Sequence, residues 1–296
     1  MSIRRKIILC ALLPVLLFSL LFSGCVAGSG GEKHSILVVG STSVQPYAEL
    51  LAESFEHGHK GYRINVSGGG SGAGISAAHD GKTDIGMSSR KLKTAADSYE
   101  KDLWFTAIAM DGLAIIVHPD NPVKGLSKQQ FQDIYAGKIK NWDQIEGFSD
   151  WAARANRKNA EIHLVTREDG SGTRSAFEEV VMGTVEITNK AIVQNSNGSI
   201  RNYVSGNPNA IGFISLGLVP AKGRDKKVVA LDLDGVKATE ENVSNETYAL
   251  SRPFLFVCLK EPVGLAKEFV DYVLSETGRD ILRKEGLIII EEAGVE

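Results

Sequence analysis

The chain has 296 residues, 43% of them hydrophobic and 23% charged, with a formal net charge of −3. That composition excludes collagen-like, low-complexity and disordered classes and leaves room for two ordinary domains. With 33 basic against 36 acidic residues there is no basic excess of the kind a nucleic-acid-binding domain carries, so no nucleic-acid partner is expected.

The N-terminus reads as a leader. Arg4, Arg5 and Lys6 form a positive n-region, and residues 7–22 are an uncharged apolar run of sixteen. A spanning helix needs about 20 such residues, so this run has the length of a secretory h-region. It ends in Phe22-Ser23-Gly24-Cys25, small residues before a cysteine as in a bacterial lipobox, with Phe22 where leucine is usual. Residues 1–24 are therefore expected to be a lipoprotein signal peptide and Cys25 the lipidated residue. Cleavage there removes three positive charges and no negative ones, moving the net charge from −3 to −6. Cys10 leaves with the leader and Cys25 carries lipid, so Cys258 has no partner for a disulfide within the mature chain. It lies in the apolar run 254–259 and reads as a small buried hydrophobe. Residues 25–34, rich in Gly and Ser, form a flexible tether. The mature protein is expected outside the cytoplasm, lipid-anchored to the cell membrane.

From there strands and helices alternate. Residues 36–39 are a short apolar strand, followed by the turn Gly40-Ser41-Thr42-Ser43 and a helix with Tyr47, Leu50, Leu51 and Phe55 on one face. Residues 62–66 are a second strand, followed by Gly68-Gly69-Gly70-Ser71-Gly72 and a short helix around Ile75. Strands follow at 85–87 and, long and nearly all apolar, at 108–117. Ser127 and Gln130 form a capping box opening a helix with Phe131, Ile134 and Tyr135 on one side. Residues 162–165 are a strand and 166–172 a loop, and Phe177, Val180 and Val181 mark a helix. Strands at 211–214, 228–231 and 254–259 and a helix at 265–274 complete the pattern. Strands alternating with helices indicate an α/β fold with mostly parallel sheets.

Three loops share one design: Gly40-Ser41-Thr42-Ser43, Gly70-Ser71-Gly72-Ala73-Gly74 and Asp169-Gly170-Ser171-Gly172-Thr173. Each follows an apolar strand and leads into a helix. Such a junction aims backbone N–H groups and hydroxyls at a point where the helix dipole favours an anion. Helix capping accounts for any one of them; three in one chain point to a ligand. Arg167 precedes the third, and a guanidinium holds two oxygens of a tetrahedral anion at once, as lysine cannot. Asp169, two residues on in an extended segment, is placed to orient it. Enzyme signatures are missing: for a nucleophile elbow Ser71 has Gly69 before it but Ala73 after it, Ser171 has Asp169 and Thr173, and Ser76 stands where a P-loop ending at Lys82-Thr83 needs glycine. The Gly68-x-Gly70-x-x-Ala73 pattern lacks the ribose carboxylate about 20 residues on. His57-Gly58-His59 reads as a helix end, and no metal or other cofactor is expected.

Four stretches resemble the phosphate-binding lipoproteins of high-affinity phosphate ABC transporters. They are Gly40-Ser41-Thr42-Ser43-Val44-Gln45-Pro46, Gly68-Gly69-Gly70-Ser71-Gly72-Ala73-Gly74, Asp84-Ile85-Gly86-Met87-Ser88-Ser89-Arg90 and Arg167-Glu168-Asp169-Gly170-Ser171-Gly172-Thr173. Ala210-Ile211-Gly212-Phe213-Ile214-Ser215 and Leu250-Ser251-Arg252-Pro253 belong to the same resemblance. It implies a type II periplasmic-binding-protein fold, with two α/β lobes, two crossover strands and the ligand in the cleft. Residues 35–118 and 250–296 would form lobe 1, and 119–249 lobe 2. It implies inorganic phosphate held by Thr42, Ser43, Ser71 and Ser89 from one side and Arg167, Ser171, Gly172 and Thr173 from the other, with no catalysis. The implied partners are the permease and ATPase subunits of an ABC transporter, to which a monomer delivers its ligand. Many members carry aspartate where this chain has Ser89. A serine hydroxyl rotates to donate or accept, so phosphate is expected to be preferred over sulfate by a smaller margin than aspartate gives. Another tetrahedral oxyanion, sulfate or molybdate, is the alternative ligand, and a secreted phosphatase-like enzyme the alternative class.

Overall fold

The computed structural model describes residues 34–146, 148, 161–219 and 227–290; the leader, Cys25 and the tether up to residue 33 lie outside them. The chain opens with β1 (Ser35–Gly40), α1 (Gln45–Gly58), β2 (Arg63–Ser67), α2 (Ser71–His79) and β3 (Ile85–Ser88). β1 runs parallel to both β2 and β3 and lies between them. α1 buries Tyr47, Ala48, Leu51, Ala52 and Phe55. Leu50, placed on that face by the sequence, is 39% exposed. The buried arc runs from Tyr47 through Phe55 to Ala52, and position 50 lies past its edge. Fully burying a side chain such as Phe55 contributes roughly 1.5–3 kcal/mol. The helix ends at Gly58 with His59 as its cap, as the sequence indicated.

β4 (Trp104–Val117) is four residues longer at its start than its apolar run suggests. Its first part, from Trp104 to Gly112, pairs antiparallel with the strand that returns late in the chain. Its last five residues pair with another partner altogether. That second half contains β5 (Gly125–Leu126), α3 (Lys128–Tyr135), β6 (His163–Arg167), α4 (Gly172–Phe177), β7 (Ile192–Gln194), α5 (Asn197–Gly206) and β8 (Ala210–Ser215). β9 (Val229–Ala230), β10 (Asp232–Leu233) and α6 (Glu240–Ser244) follow. Ser127 and Gln130 make both bonds of the expected capping box, and Phe131, Ile134 and Tyr135 are buried. α4 runs on into a π-helical turn, Glu178–Met182, so the helix read from Phe177 and Val181 is real but irregular.

The chain then returns through β11 (Ser251–Cys258), followed by α7 (Gly264–Leu274) and α8 (Glu276–Lys284). β11 inserts between β3 and β4, giving the order β2-β1-β3-β11-β4-β8-β6-β7, with β9 also on β4 and β5 pairing β10 separately. The flanks β2-β1-β3 and β8-β6-β7 are parallel, but the pairs that β4 and β11 make are antiparallel. The expectation of mostly parallel pairing therefore holds away from the centre, where the two crossing strands run against each other. Each half has its own core, around Phe55, Phe256 and Phe269 in one and Tyr135, Trp142, Phe177 and Phe213 in the other. Two α/β halves joined by two crossing strands are the type II architecture. Burial pushes the Cys258 thiol up to about 12, so it is an inert core residue. Among the described residues no helix is long and apolar enough to cross a membrane.

Candidate functional site

The three loops meet at the boundary of the two halves. Gly40 closes β1 at φ +145°, and a Cβ there would lie 2.9 Å from the Met87 nitrogen, so only glycine allows β1 this close to β3. The Gly70 N–H donates to the Gly40 carbonyl at 2.9 Å, stacking the second loop on the first. Gly72 at the start of α2 donates its N–H to the Gly170 carbonyl at 2.8 Å, bringing the third loop, from the other half, onto the second. Ser171 caps α4, accepting from the Arg174 N–H at 3.3 Å.

Side chains fill the junction. Ser41, Ser43, Ser71, Ser89, Arg167, Ser171 and Thr173 are all buried, and Thr42 is half-buried. Ser43 and Thr173 hydroxyls lie 3.0 Å apart across the boundary, and Ser71 and Ser89 hydroxyls 3.3 Å apart. So many hydroxyls leave water only where each finds a partner. Arg167, 1% exposed at the end of β6, donates from Nε and Nη2 to the Glu168 carboxylate at 2.8 and 2.7 Å. Its Nη1 reaches Thr173 Oγ1 at 3.4 Å.

Asp169 does not orient Arg167. The chain leaves the extended conformation after Arg167 and turns at Asp169-Gly170, so two-residue alternation fails there. Asp169 is 94% exposed and pairs with Arg174 at 2.6 Å, while Glu168 holds the guanidinium.

The structure adds residues that the sequence reading did not assign to the site. Arg252 in β11, 2% exposed, donates from Nε and Nη2 to Asp111 Oδ2 in β4 at 3.2 and 3.0 Å. It also reaches Ser43 Oγ at 2.9 Å and Ser89 Oγ at 3.3 Å. Burial raises the Asp111 carboxyl above its ordinary range and lowers the Arg252 guanidinium, with their mutual attraction opposing both shifts. Asn197 at the start of α5 donates to Thr42 Oγ1 at 3.1 Å and Ser43 Oγ at 2.9 Å, a second bridge between halves. A lone carboxylate inside the apolar run 108–117 was the available signal for Asp111, and Arg252 lay in the stretch Leu250-Ser251-Arg252-Pro253 that shared in the resemblance.

Gly172 marks the tightest approach. A methyl there would land on the Ser71 hydroxyl, 2.6 Å from that of Ser89 and 2.9 Å from the Ser89 carbonyl carbon. Gly172 and the serines belong to different halves, so the clash is relieved by parting them. Forcing a methyl into a packed site costs about 1–3 kcal/mol. Gly172→Ala is therefore expected to weaken ligand binding roughly five- to a hundredfold while the urea midpoint of the ligand-free protein holds. Unchanged affinity by calorimetry would show that binding does not use this contact.

Fold and site together define a two-lobed ligand-binding protein with a buried, donor-rich cleft. Residues 26–277 match the model of the PBP superfamily domain. The chain is 32% identical over 272 residues to the phosphate-binding protein PstS of Bacillus subtilis, covering 91% of this chain and 86% of that one. A solved phosphate ABC transporter substrate-binding protein with bound phosphate, from Clostridium perfringens, is 42% identical with a TM-score of 0.76, covering 87% of this chain and 100% of its own. An ABC-type phosphate transport receptor from Vibrio cholerae is 36% identical with a TM-score of 0.67, covering 86% and 100%. The chain belongs to the PstS family of phosphate-binding proteins within the PBP superfamily.

Proposed function

We propose that this protein captures inorganic phosphate between its two lobes and delivers it to the permease and ATPase subunits of an ABC transporter for import. The observation that carries this reading is the meeting of Arg167 and three Gly/Ser/Thr loops, drawn from both halves, in one buried polar junction. Thr42, Ser43, Ser71 and Ser89 serve the anion from the first lobe, and Arg167, Ser171, Gly172 and Thr173 from the second. Backbone N–H groups at the starts of α1 and α2 add the positive ends of two helix dipoles. Asp169 has no part in the site beyond its pair with Arg174. A mature chain of net −6 attracts an anion through these local dipoles and Arg167, not through its overall field.

The first lobe is taken as residues 35–118 with 250–296 and the second as 119–249, with Leu113–Val117 at the end of β4 packed into the second core, so that closure flexes β4 near Gly112 and the start of β11. The work is binding with closure, without turnover. Titration of the purified protein with phosphate tests this. Phosphate at about a hundred times Kd should add about 2.7 kcal/mol to stability and raise the thermal midpoint, with no hydrolysis of a generic phosphate ester. No heat and no midpoint shift would overturn the reading, and steady ester turnover lost on Ser71→Ala would favour a phosphatase.

The protein acts as a monomer outside the cytoplasm, held to the membrane by lipid on Cys25. Cys25→Ser should release it from membranes or leave the leader uncleaved, as fractionation and blotting would show. Membrane association at the processed size would refute the anchor.

A further inference from the structure

The lobes touch at a second place, away from the three loops. After β8 the chain makes one tight turn, Leu216–Leu218, which belongs to the second lobe. Its middle residue, Gly217, sits between two parts of the first lobe. A Cβ there would land on the Tyr47 hydroxyl of α1, 3.3 Å from the Tyr47 Cζ and 3.4 Å from the Glu285 carbonyl just past α8. The φ of Gly217 is not positive, so its backbone is open to other residues. Lack of room, and not conformation, is what calls for glycine here.

Both sides of this contact are rigid. Tyr47 is 3% exposed, its ring stands 5.8 Å from that of Phe254 in β11, and Ala48, Leu51 and Phe55 fix α1 in the first core. Close packing leaves such a ring no room to swing aside. On the other lobe Ser215, at the root of the turn, donates its hydroxyl to Asp111 Oδ1 at 2.9 Å and its N–H to Asn197 Oδ1 at 3.1 Å. The Val219 N–H closes the turn on the Leu216 carbonyl at 2.9 Å. A neighbouring contact differs: Gly286 of the first lobe faces Glu240 of the second, but Glu240 is exposed and its long side chain can turn into water. The turn also lies beside the hinge. A Cβ on Gly112 would meet the Leu216 side chain at 2.7 Å, and at Gly112 β4 passes from the first core, which holds Ala109, to the second, which holds Leu113.

We infer that Tyr47 is a positioning residue for ligand capture: its hydroxyl, seated in the notch that Gly217 leaves beside the hinge, is the stop that sets how far the lobes close. This rests on the reading that the protein captures phosphate by closing. Closure has to bring donors of both lobes to one anion, as the 3.0 Å between the Ser43 and Thr173 hydroxyls shows. A stop made of rigid parts fixes that separation without touching the ligand. A side chain at position 217 then acts as a wedge. It lowers the population of the closed form, and apparent affinity falls in proportion to that population. With the lobes parted, position 217 is clear of Tyr47, so the ligand-free fold does not feel the wedge.

Calorimetric titration with phosphate and urea unfolding without it, on the wild type, Gly217→Ala, Tyr47→Phe and the double variant, test this. Gly217→Ala should bind phosphate roughly five- to a hundredfold more weakly and keep the wild-type urea midpoint. In the Tyr47→Phe background the obstructing oxygen is gone and the nearest ring atom is Cζ, at 3.3 Å. The same substitution should there cost less than about threefold, the departure from additivity expected of two residues in contact. An equal loss in both backgrounds would mean that Tyr47 is not the stop. A ligand-free midpoint lowered along with the affinity would mean that the notch belongs to the fold and not to closure. Phosphate binding by Gly217→Ala as tight as wild type would mean that closure does not use the notch. Each of these overturns the inference while leaving phosphate capture standing, whereas a wild type that binds no phosphate overturns the capture reading itself.

Discussion

Replacing Arg167 with lysine is expected to weaken phosphate binding roughly ten- to a hundredfold although the charge is kept, because hydrogen bonds to a charged partner contribute about 1.5–3 kcal/mol. The head group and not the charge is expected to decide this. Arg167 spends Nε and one Nη2 proton on Glu168 and one Nη1 proton on Thr173. A guanidinium has five protons, so each Nη still carries one, spaced for two oxygens of a tetrahedral anion. An ammonium has three protons at a single point and cannot serve Glu168, Thr173 and the anion together. Calorimetric titration of Arg167→Lys measures the loss, and an affinity equal to wild type would move Arg167 out of the site.

The second large effect is on stability. Asp111→Asn keeps the shape of the side chain but leaves the Arg252 guanidinium, 2% exposed, without a countercharge. Breaking a buried pair from one side costs about 3–5 kcal/mol, a large part of the 5–15 kcal/mol that holds an ordinary domain together. Urea unfolding should show this as a lower midpoint. The double variant Asp111→Leu, Arg252→Met removes both charges, and replacing a buried pair by apolar side chains is often neutral. It should recover most of the stability while losing the Arg252 hydrogen bonds to Ser43 and Ser89. If Asp111→Asn unfolds at the wild-type midpoint, the pair does not stabilise the crossing strands.

Local features were legible in the sequence because local chemistry produces them. The capping box at Ser127, the glycines at 40 and 70 and the apolar strands each depend on a few neighbouring residues. Arg167 and the three loops could be read together because each carries its own strand-loop-helix signal. The Asp111–Arg252 pair spans 141 positions and the Asn197–Thr42 bridge 155, and no periodicity links residues so far apart. Asp111 was hidden inside an apolar run, where one carboxylate does not disturb a strand reading. Asp169 misled for a different reason: its place depended on whether the backbone stayed extended for two more residues, and it turned. Glu168, nearer and one methylene longer, took the guanidinium.

The place of β11 in the sheet also governs the order of assembly. β3 has β1 on one side and, on the other, a strand that begins more than 160 positions later; the start of β4 leans on that same strand. Until residues 251–258 arrive, the opening third of the polypeptide has two exposed edges and lacks Phe254 and Phe256 from its core. The intervening half, whose strands pair among themselves and with the end of β4, can condense first. Closing so long a loop makes the finished first half a late and comparatively slow event. A growing chain therefore stays pliable over its N-terminal portion until nearly all of it has been made.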